Sequence, residues 1–126
     1  MVPEPKSDPV PKHVLFIEDE ILIRSIVAEV LRHAGLIVIE ADNADEAWSY
    51  LRAGAPADLI LSDIQLPGSM DGVELARSVE ENYDHVVVVL TSTWQIPPTV
   101  KHDHFIRKPY SPANLVAILK SLLEQN

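Results

Sequence analysis

Short apolar runs alternate along the chain with segments of helical period, and this alternation restricts the possible fold more than any other feature. The runs lie at 13–17, 36–41, 59–61, 86–90 and 104–107. Between them, apolar residues recur at the three- and four-residue spacing of amphipathic helices. Parallel strands buried on both faces need such helical crossovers. The pattern therefore predicts an α/β domain with a doubly wound, five-stranded parallel sheet.

End signals support most of the predicted helices. The first helix starts at Ile21, and its periodic apolar positions are Ile23, Ile26, Val27, Val30, Leu31 and Ala34. Asn43 suits an N-cap and Glu46 would complete a capping box, while Ser111 precedes Pro112 at the start of the last helix. Segment 94–103 contains two adjacent prolines. Because proline inside a helix costs about 3 kcal/mol, we expect a short or irregular fourth helix.

Length and composition exclude several functions. The 126 residues suit one domain, with 1–11 as a flexible, proline-rich tail and 12–126 as the folded part. There is no cysteine for disulfide or thiolate chemistry, and no apolar run nears the roughly 18 residues that span a membrane. The start of the chain lacks a signal-peptide core, so the cytoplasm is the simplest location. A net charge of −9 argues against a nucleic-acid partner.

Polar residues follow four of the predicted strands. They are Glu18, Asp19 and Glu20 after the first strand, Asp63 after the third, Thr91 and Ser92 after the fourth, and Lys108 after the fifth. Ligands of open α/β sheets bind beyond the carboxyl ends of the strands, at the switch point of the strand order. If the order is 2-1-3-4-5, the first and third strands are neighbours and their acids share one pocket.

Such a pocket has a definite chemistry. Unit negative charges 4 Å apart repel by roughly 4 kcal/mol at an effective dielectric constant of 20, so three carboxylates together need a counter-ion. Oxygen ligands without His or Cys favour Mg²⁺ or a similar cation. A lysine and a hydroxyl opposite the cation suit a phosphoryl group. A carboxylate between them can act as a nucleophile and form an aspartyl phosphate.

Four groups of residues, in this order and spacing, carry a family resemblance. They are 14–20, then Asp63 with 67–68 and 70–72, then 90–92, and finally 105–109. The chain resembles the receiver domain of two-component response regulators over about residues 12 to 125. The resemblance implies a flavodoxin-like fold with strand order 2-1-3-4-5, and the stand-alone, single-domain type.

The resemblance also implies residue roles. Asp63 would be the phosphoacceptor. Asp19 would bind Mg²⁺ (or Mn²⁺) directly together with Asp63, Glu18 would hold the cation through water, and the backbone carbonyl of Gln65 would be a further ligand.

Three other residues would respond to the phosphoryl group. Thr91 would bond it and move toward it, and Lys108 would pair with one of its oxygens. The bond from Lys108 to Pro109 is expected to be cis. Phe105 would be the aromatic switch residue, acting sterically because it has no hydroxyl.

The chain departs from the usual family pattern at three places. Ser69 lengthens the loop after Asp63 by one residue, and Ser92 replaces a common alanine. Only seventeen positions separate Thr91 from Lys108. The missing length falls in the fourth helix, so the usual output surface should look different here.

The implied function is a phosphorylation-controlled switch that receives its phosphoryl group from a histidine kinase or phosphotransfer protein. Only eighteen residues follow Lys108, so we expect no attached output module, and the signal would pass to an unidentified partner protein. We expect no enzyme activity beyond the protein's own phosphoryl acceptance and slow hydrolysis, and no nucleic-acid or membrane partner.

Three alternatives stay open. A phosphatase with an aspartate nucleophile usually has a second acid two positions on, where this chain has Gln65. A receiver-like binding module that is never phosphorylated would not need the full set of acids with Thr91 and Lys108. A nucleotide-binding protein would need a phosphate-binding loop, which the four glycines do not form.

Other conspicuous side chains receive plainer interpretations. Trp48 is expected to pack in the core. Trp94 directly follows the Thr-Ser-Thr run and could cover the site or a partner surface. Arg24 and Arg107 are expected to be solvated, and the five histidines are expected at surface or strand-edge positions.

Overall fold

Residues 10–125 are described by a computed structural model, in which five strands alternate with four helices. The strands are β1 His13–Ile17, β2 Ile37–Ala41, β3 Leu59–Asp63, β4 Val87–Ser92 and β5 Phe105–Arg107. The helices are α1 Ile21–His33, α2 Ala44–Arg52, α3 Gly72–Asn82 and α4 Pro112–Glu124. Most of the predicted N-terminal tail, residues 1–9, lies outside the described residues.

The sheet is parallel throughout and its strand order is β2-β1-β3-β4-β5. This confirms the predicted flavodoxin-like fold. Side chains of β1 alternate between two apolar layers, with Val14 and Phe16 on one face and Leu15 and Ile17 on the other. α1 and α4 cover the first face, and α2 and α3 cover the second.

Two strands extend further than the sequence predicts. β3 reaches Asp63 and β4 reaches Ser92. Asp63 pairs with Thr91 across these strands, and Ser92 pairs with Arg107 of β5. The polar residues at the strand ends are therefore held by sheet hydrogen bonds, which fixes their positions at the edge of the sheet.

The helix caps form largely as predicted. Asn43 accepts a hydrogen bond from the amide of Glu46 at 2.8 Å, which is the Asn43 half of the expected capping box. The complete reciprocal box lies at Asp71 and Glu74, at the start of α3. Ser111 caps α4, with Pro112 in its first turn.

The buried face of α1 is narrower than its apolar period indicates. Val27, Ala28 and Leu31 are buried, whereas Ile23 and Ile26 are exposed. The helical spacing is confirmed, but the helix meets the sheet along one stripe only, so Ile23 and Ile26 lie outside the core. α1 thus carries apolar side chains that nothing in the described chain covers.

The connection from β4 to β5 has no α-helix. It contains a single 3₁₀ turn, His102–His104, and a turn in which the amide of Val100 bonds the carbonyl of Pro97 at 3.0 Å. The prediction that this segment forms at most a short or irregular helix is confirmed. No helix within residues 10–125 is long and apolar enough to cross a membrane.

Candidate functional site

Three acids meet at the carboxyl ends of two neighbouring strands. Glu18 and Asp19 follow β1, and Asp63 ends β3, which pairs with β1. One carboxylate oxygen from each lies within 4.8 Å of those of the other two. The sheet order thus brings together acids that are 44 positions apart along the chain. The backbone amide of Glu20 donates to Glu18 Oε1 at 3.4 Å.

Lys108 reaches this acidic group from the far strand of the sheet. Its amide bonds the carbonyl of Ser92 at 2.9 Å, which holds the chain in register just beyond β5. Its ammonium donates to Glu18 Oε2 at 2.9 Å and to Asp63 Oδ2 at 3.0 Å. The bond from Lys108 to Pro109 is cis, as expected.

Burial and charge act in opposite directions on this ion pair. The Glu18 side chain is almost fully buried, and burial raises the pKa of Glu18 despite its hydrogen bond to Lys108. Burial would lower the pKa of Lys108, but hydrogen bonds to Glu18 and Asp63 outweigh it and raise that pKa to about 12. Lys108 therefore remains an ammonium at any physiological pH.

The donor set fits a divalent cation. When ionised, the carboxylates of Glu18, Asp19 and Asp63 face one ammonium, so two formal negative charges stay uncompensated. All the available donors are oxygens, the ligand type that Mg²⁺ prefers. A cation of charge two would neutralise the pocket.

Thr91 lies next to Asp63 on β4, and Phe105 lies on the neighbouring strand β5. Thr91 is buried and stands opposite Asp63 in the sheet, and its carbonyl accepts from the amide of Ile64 at 2.9 Å. Phe105 pairs with Leu90, the residue before Thr91, and packs against the apolar layer under α2 and α3. The structure thus places Phe105 beside the strand that carries Thr91.

A hydrogen-bonded group that the sequence did not indicate links Gln65 to the segment after β4. The buried Ser92 hydroxyl donates to Gln65 Oε1 at 3.1 Å and accepts from the amide of Trp94 at 3.0 Å. The Trp94 ring itself is exposed. The only available signal for this contact is strand register, because Ser92 directly follows Thr91, which pairs with Asp63.

The extra residue in the β3–α3 loop is anchored to α2. Ser69 donates from its amide and its hydroxyl to the two carboxylate oxygens of Asp45, at 3.1 and 2.5 Å. Gly68 adopts φ +105°, and a Cβ there would lie 2.6 Å from Asp45 Oδ2. Asp45 of α2 therefore holds the longer loop in place.

The environment of Arg24 differs from the prediction. The sequence suggests a solvated side chain, but only 11% of it is exposed. Its Nη1 donates to the backbone carbonyl of Glu18 at 2.8 Å.

Trp48 packs edge-on against Tyr83, with 6.0 Å between ring centroids, which confirms its predicted structural role. Arg107 is exposed, as expected.

A five-stranded parallel sheet with acids, a buried threonine and a lysine at one edge defines a receiver module. A model of the response regulator receiver domain matches residues 14–120. The chain therefore belongs to the receiver-domain family of two-component response regulators, which is a signalling family and not a recognised enzyme family.

Particular relatives agree with this assignment. The chain is 36% identical over 122 residues to the phosphate regulon transcriptional regulatory protein PhoB of Pseudomonas aeruginosa, covering 90% of this chain and 52% of the relative. The N-terminal domain of a response regulator/sensory box/GGDEF three-domain protein from Carboxydothermus hydrogenoformans superposes with a TM-score of 0.80. The two are 26% identical, over 90% of this chain and 95% of that one.

A receiver domain of a kinase is also similar. The receiver domain of the hybrid histidine kinase CckA gives a TM-score of 0.75 at 31% identity, over 88% of this chain and 98% of that domain. The present chain spans about half the length of the curated relatives it matches.

Proposed function

We propose that this protein is a phosphorylation-controlled switch whose phosphoacceptor is Asp63. The observation that supports this most strongly is the Lys108 ammonium, which donates to Glu18 and Asp63 at once inside a pocket of three acids. Asp63 stands between the acids that follow β1 and Thr91 on β4. Its side chain is partly exposed, so an incoming phosphoryl group can reach it, whereas Glu18 is almost fully buried.

The acids also support a metal-binding role. Glu18, Asp19 and Asp63, with the backbone carbonyl of Gln65, would hold Mg²⁺ or Mn²⁺. The bound cation would neutralise charge on the carboxylates and on the phosphoryl oxygens.

Transfer then needs little from the chain beyond positioning. A carboxylate oxygen of Asp63 forms the bond to phosphorus as the bond from phosphorus to the donor breaks. Lys108 exchanges its bond to Asp63 for one to a phosphoryl oxygen, and the Thr91 hydroxyl donates to another. The donor would be a histidine kinase or phosphotransfer protein.

Phosphorylation adds about −1.5 to −2 charges at Asp63. Thr91 would move toward this charge, and Phe105 would turn into the space beside it. Segment 93–104 has no regular structure except one 3₁₀ turn, so it costs least to rearrange. We infer that this segment reports the phosphorylated state to a partner protein, either as regulation or as onward relay. A cytoplasmic location stays a prediction.

Intact-mass measurement tests the proposal. The protein is incubated with Mg²⁺ and a small-molecule phosphodonor, as wild type, Asp63→Asn and Asp84→Asn. Asp84 is an exposed aspartate in the turn before β4 and serves as the matched control. We expect one added phosphoryl group on the wild type and on Asp84→Asn, and none on Asp63→Asn. Equal labelling of all three would exclude Asp63 as the acceptor.

A further inference from the structure

We propose that Arg24 is a positioning residue for the cation-binding acids, which it holds through the peptide bond between Glu18 and Asp19. The inference rests on the proposed metal site and adds a residue to it. Arg24 lies in the first turns of α1 and its amide bonds the carbonyl of Glu20 at 2.9 Å. Its side chain turns back from the helix toward the end of β1.

The guanidinium of Arg24 joins three separate parts of the chain. It donates to the carbonyl of Glu18 at 2.8 Å, to Glu40 Oε1 of β2 at 3.3 Å, and to Asp42 Oδ1 beyond β2. A guanidinium has five N–H donors in a rigid plane, so it can serve three acceptors in a fixed geometry. The small exposed fraction of Arg24 shows that these contacts are sheltered from solvent.

The Glu18 carbonyl that Arg24 binds lies directly after β1, where the chain leaves the sheet. The amide of Glu18 still bonds Ala41 of β2, at 3.2 Å. The carbonyl of Glu18 and the amide of Asp19 belong to one rigid peptide plane. Fixing that carbonyl therefore fixes the direction in which the chain continues to Asp19. Both proposed cation ligands of this loop are attached to the plane that Arg24 holds.

The effect of Arg24 on the cation should be geometric more than electrostatic. Its positive charge faces the carboxylates of Glu40 and Asp42, which compensate it. A lysine would keep the charge but could not satisfy the same three acceptors, because its ammonium is a point charge without a planar fork. Arg24→Lys therefore separates geometry from charge.

Arg32 offers a matched control on the same helix. It donates to the carbonyl of Val38 at 2.9 Å and to Glu40 Oε2 at 3.2 Å. It thus binds a backbone carbonyl and the same glutamate as Arg24 but has no contact with Glu18. Its side chain is 42% exposed. Arg32→Lys removes a comparable set of contacts at a distance from the acids.

The experiment is a Mg²⁺ titration of the whole chain, followed by backbone amide chemical shifts, for wild type, Arg24→Lys, Arg24→Gln and Arg32→Lys. We expect the dissociation constant to rise about tenfold or more in the Arg24 variants, as for other residues that orient metal ligands. Arg32→Lys should stay within about twofold of wild type. A purely structural Arg24 would lower the thermal unfolding midpoint without changing the Mg²⁺ dissociation constant.

The outcomes distinguish this inference from the function on which it rests. If the wild type binds no Mg²⁺, the proposed metal site is wrong and this inference falls with it. If the wild type binds Mg²⁺ and Arg24→Lys binds it equally well, only the role of Arg24 is overturned. Should the Arg24 variants fail to fold, Asp42→Ala removes one carboxylate that holds the guanidinium, and unchanged Mg²⁺ affinity there would also overturn the inference.

Discussion

Glu18 is the residue at which folding and function oppose each other most directly. A carboxylate taken almost wholly out of water is costly unless it is paired, and Lys108 pairs it at 2.9 Å. Even so, burial has the larger effect and raises the pKa of Glu18. Without a cation, ionisation of Glu18 therefore costs free energy, which suits a site that receives a cation.

This conflict predicts how Glu18→Gln changes stability with pH. A group whose pKa is higher in the folded state adds stability below its unfolded pKa, near 4.5, and that stability is lost as the pH rises through the folded pKa. At neutral pH without metal, the neutral variant should therefore have a larger free energy of unfolding than the wild type. The difference should vanish at about pH 4, where Glu18 itself is protonated.

Magnesium should reverse that order. At a concentration 100 times its dissociation constant, a ligand adds about 2.7 kcal/mol to the folded state that binds it, and Glu18→Gln should bind less well. Urea unfolding with a chelator and with Mg²⁺, at both pH values, measures the effect. A wild type more stable than the variant in metal-free buffer at neutral pH would contradict it.

Single residues also show where sequence reasoning ends. Asp63, Glu18 and Lys108 could be predicted to meet, because the ends of parallel strands share one edge of the sheet. Arg24 could not, since helical periodicity shows on which side of α1 it lies but not which backbone carbonyl approaches it. The bond from Ser92 to Gln65 depends in the same way on rotamers that packing decides.

At the scale of elements, α1 is the helix whose sequence and packing agree least. Its apolar period continues past the buried stripe, so Ile21, Leu22 and Ile26 are exposed, and the first two directly follow the acids of the β1–α1 loop. Grouped exposed apolar side chains commonly mark a contact surface. A protein that delivers a phosphoryl group to Asp63 must approach this end of the sheet, and α1 is the apolar surface there.

Leu22→Glu should therefore slow phosphoryl transfer from a donor protein by at least about tenfold, since it puts a charge into an apolar contact. Transfer from a small-molecule donor should be unchanged, because Leu22 is 76% exposed and belongs to no part of the site. Val10→Glu is the control, as Val10 is 81% exposed and precedes β1 at the opposite end of the sheet.

The measurement is the rate of phosphoryl transfer from a cognate kinase or phosphotransfer protein, followed with radiolabelled phosphate, for wild type, Leu22→Glu and Val10→Glu. Equal loss with the protein donor and the small-molecule donor would mean that Leu22→Glu damages the site instead of a docking surface.

Segment 93–104 shows the opposite relation between sequence and structure. The adjacent prolines at 97–98 predict the absence of a long helix, and the structure has only one 3₁₀ turn there. This element could be predicted because proline acts locally, on its own backbone and the preceding turn. Its contacts with a partner depend on a second molecule, which no local rule describes.

The architecture of the whole molecule could be predicted from the alternation of strands and helices. This alternation indicates a sheet, the parallel direction of its strands and its two covered faces. The strand order then places Asp63 between the acids of β1 and Thr91 of β4. The central claim at this scale is that the order serves one event, the formation of an acyl phosphate on Asp63.

Borohydride reduction followed by peptide mapping identifies the residue that carries the phosphoryl group. The reagent reduces an acyl phosphate to the corresponding alcohol, so a phosphorylated aspartate is recovered as homoserine. After incubation with Mg²⁺ and a phosphodonor, we expect homoserine at position 63 and at no other aspartate. Reduction at Glu18 or Asp19, or no reduction in a protein that has gained a phosphoryl group, would contradict it.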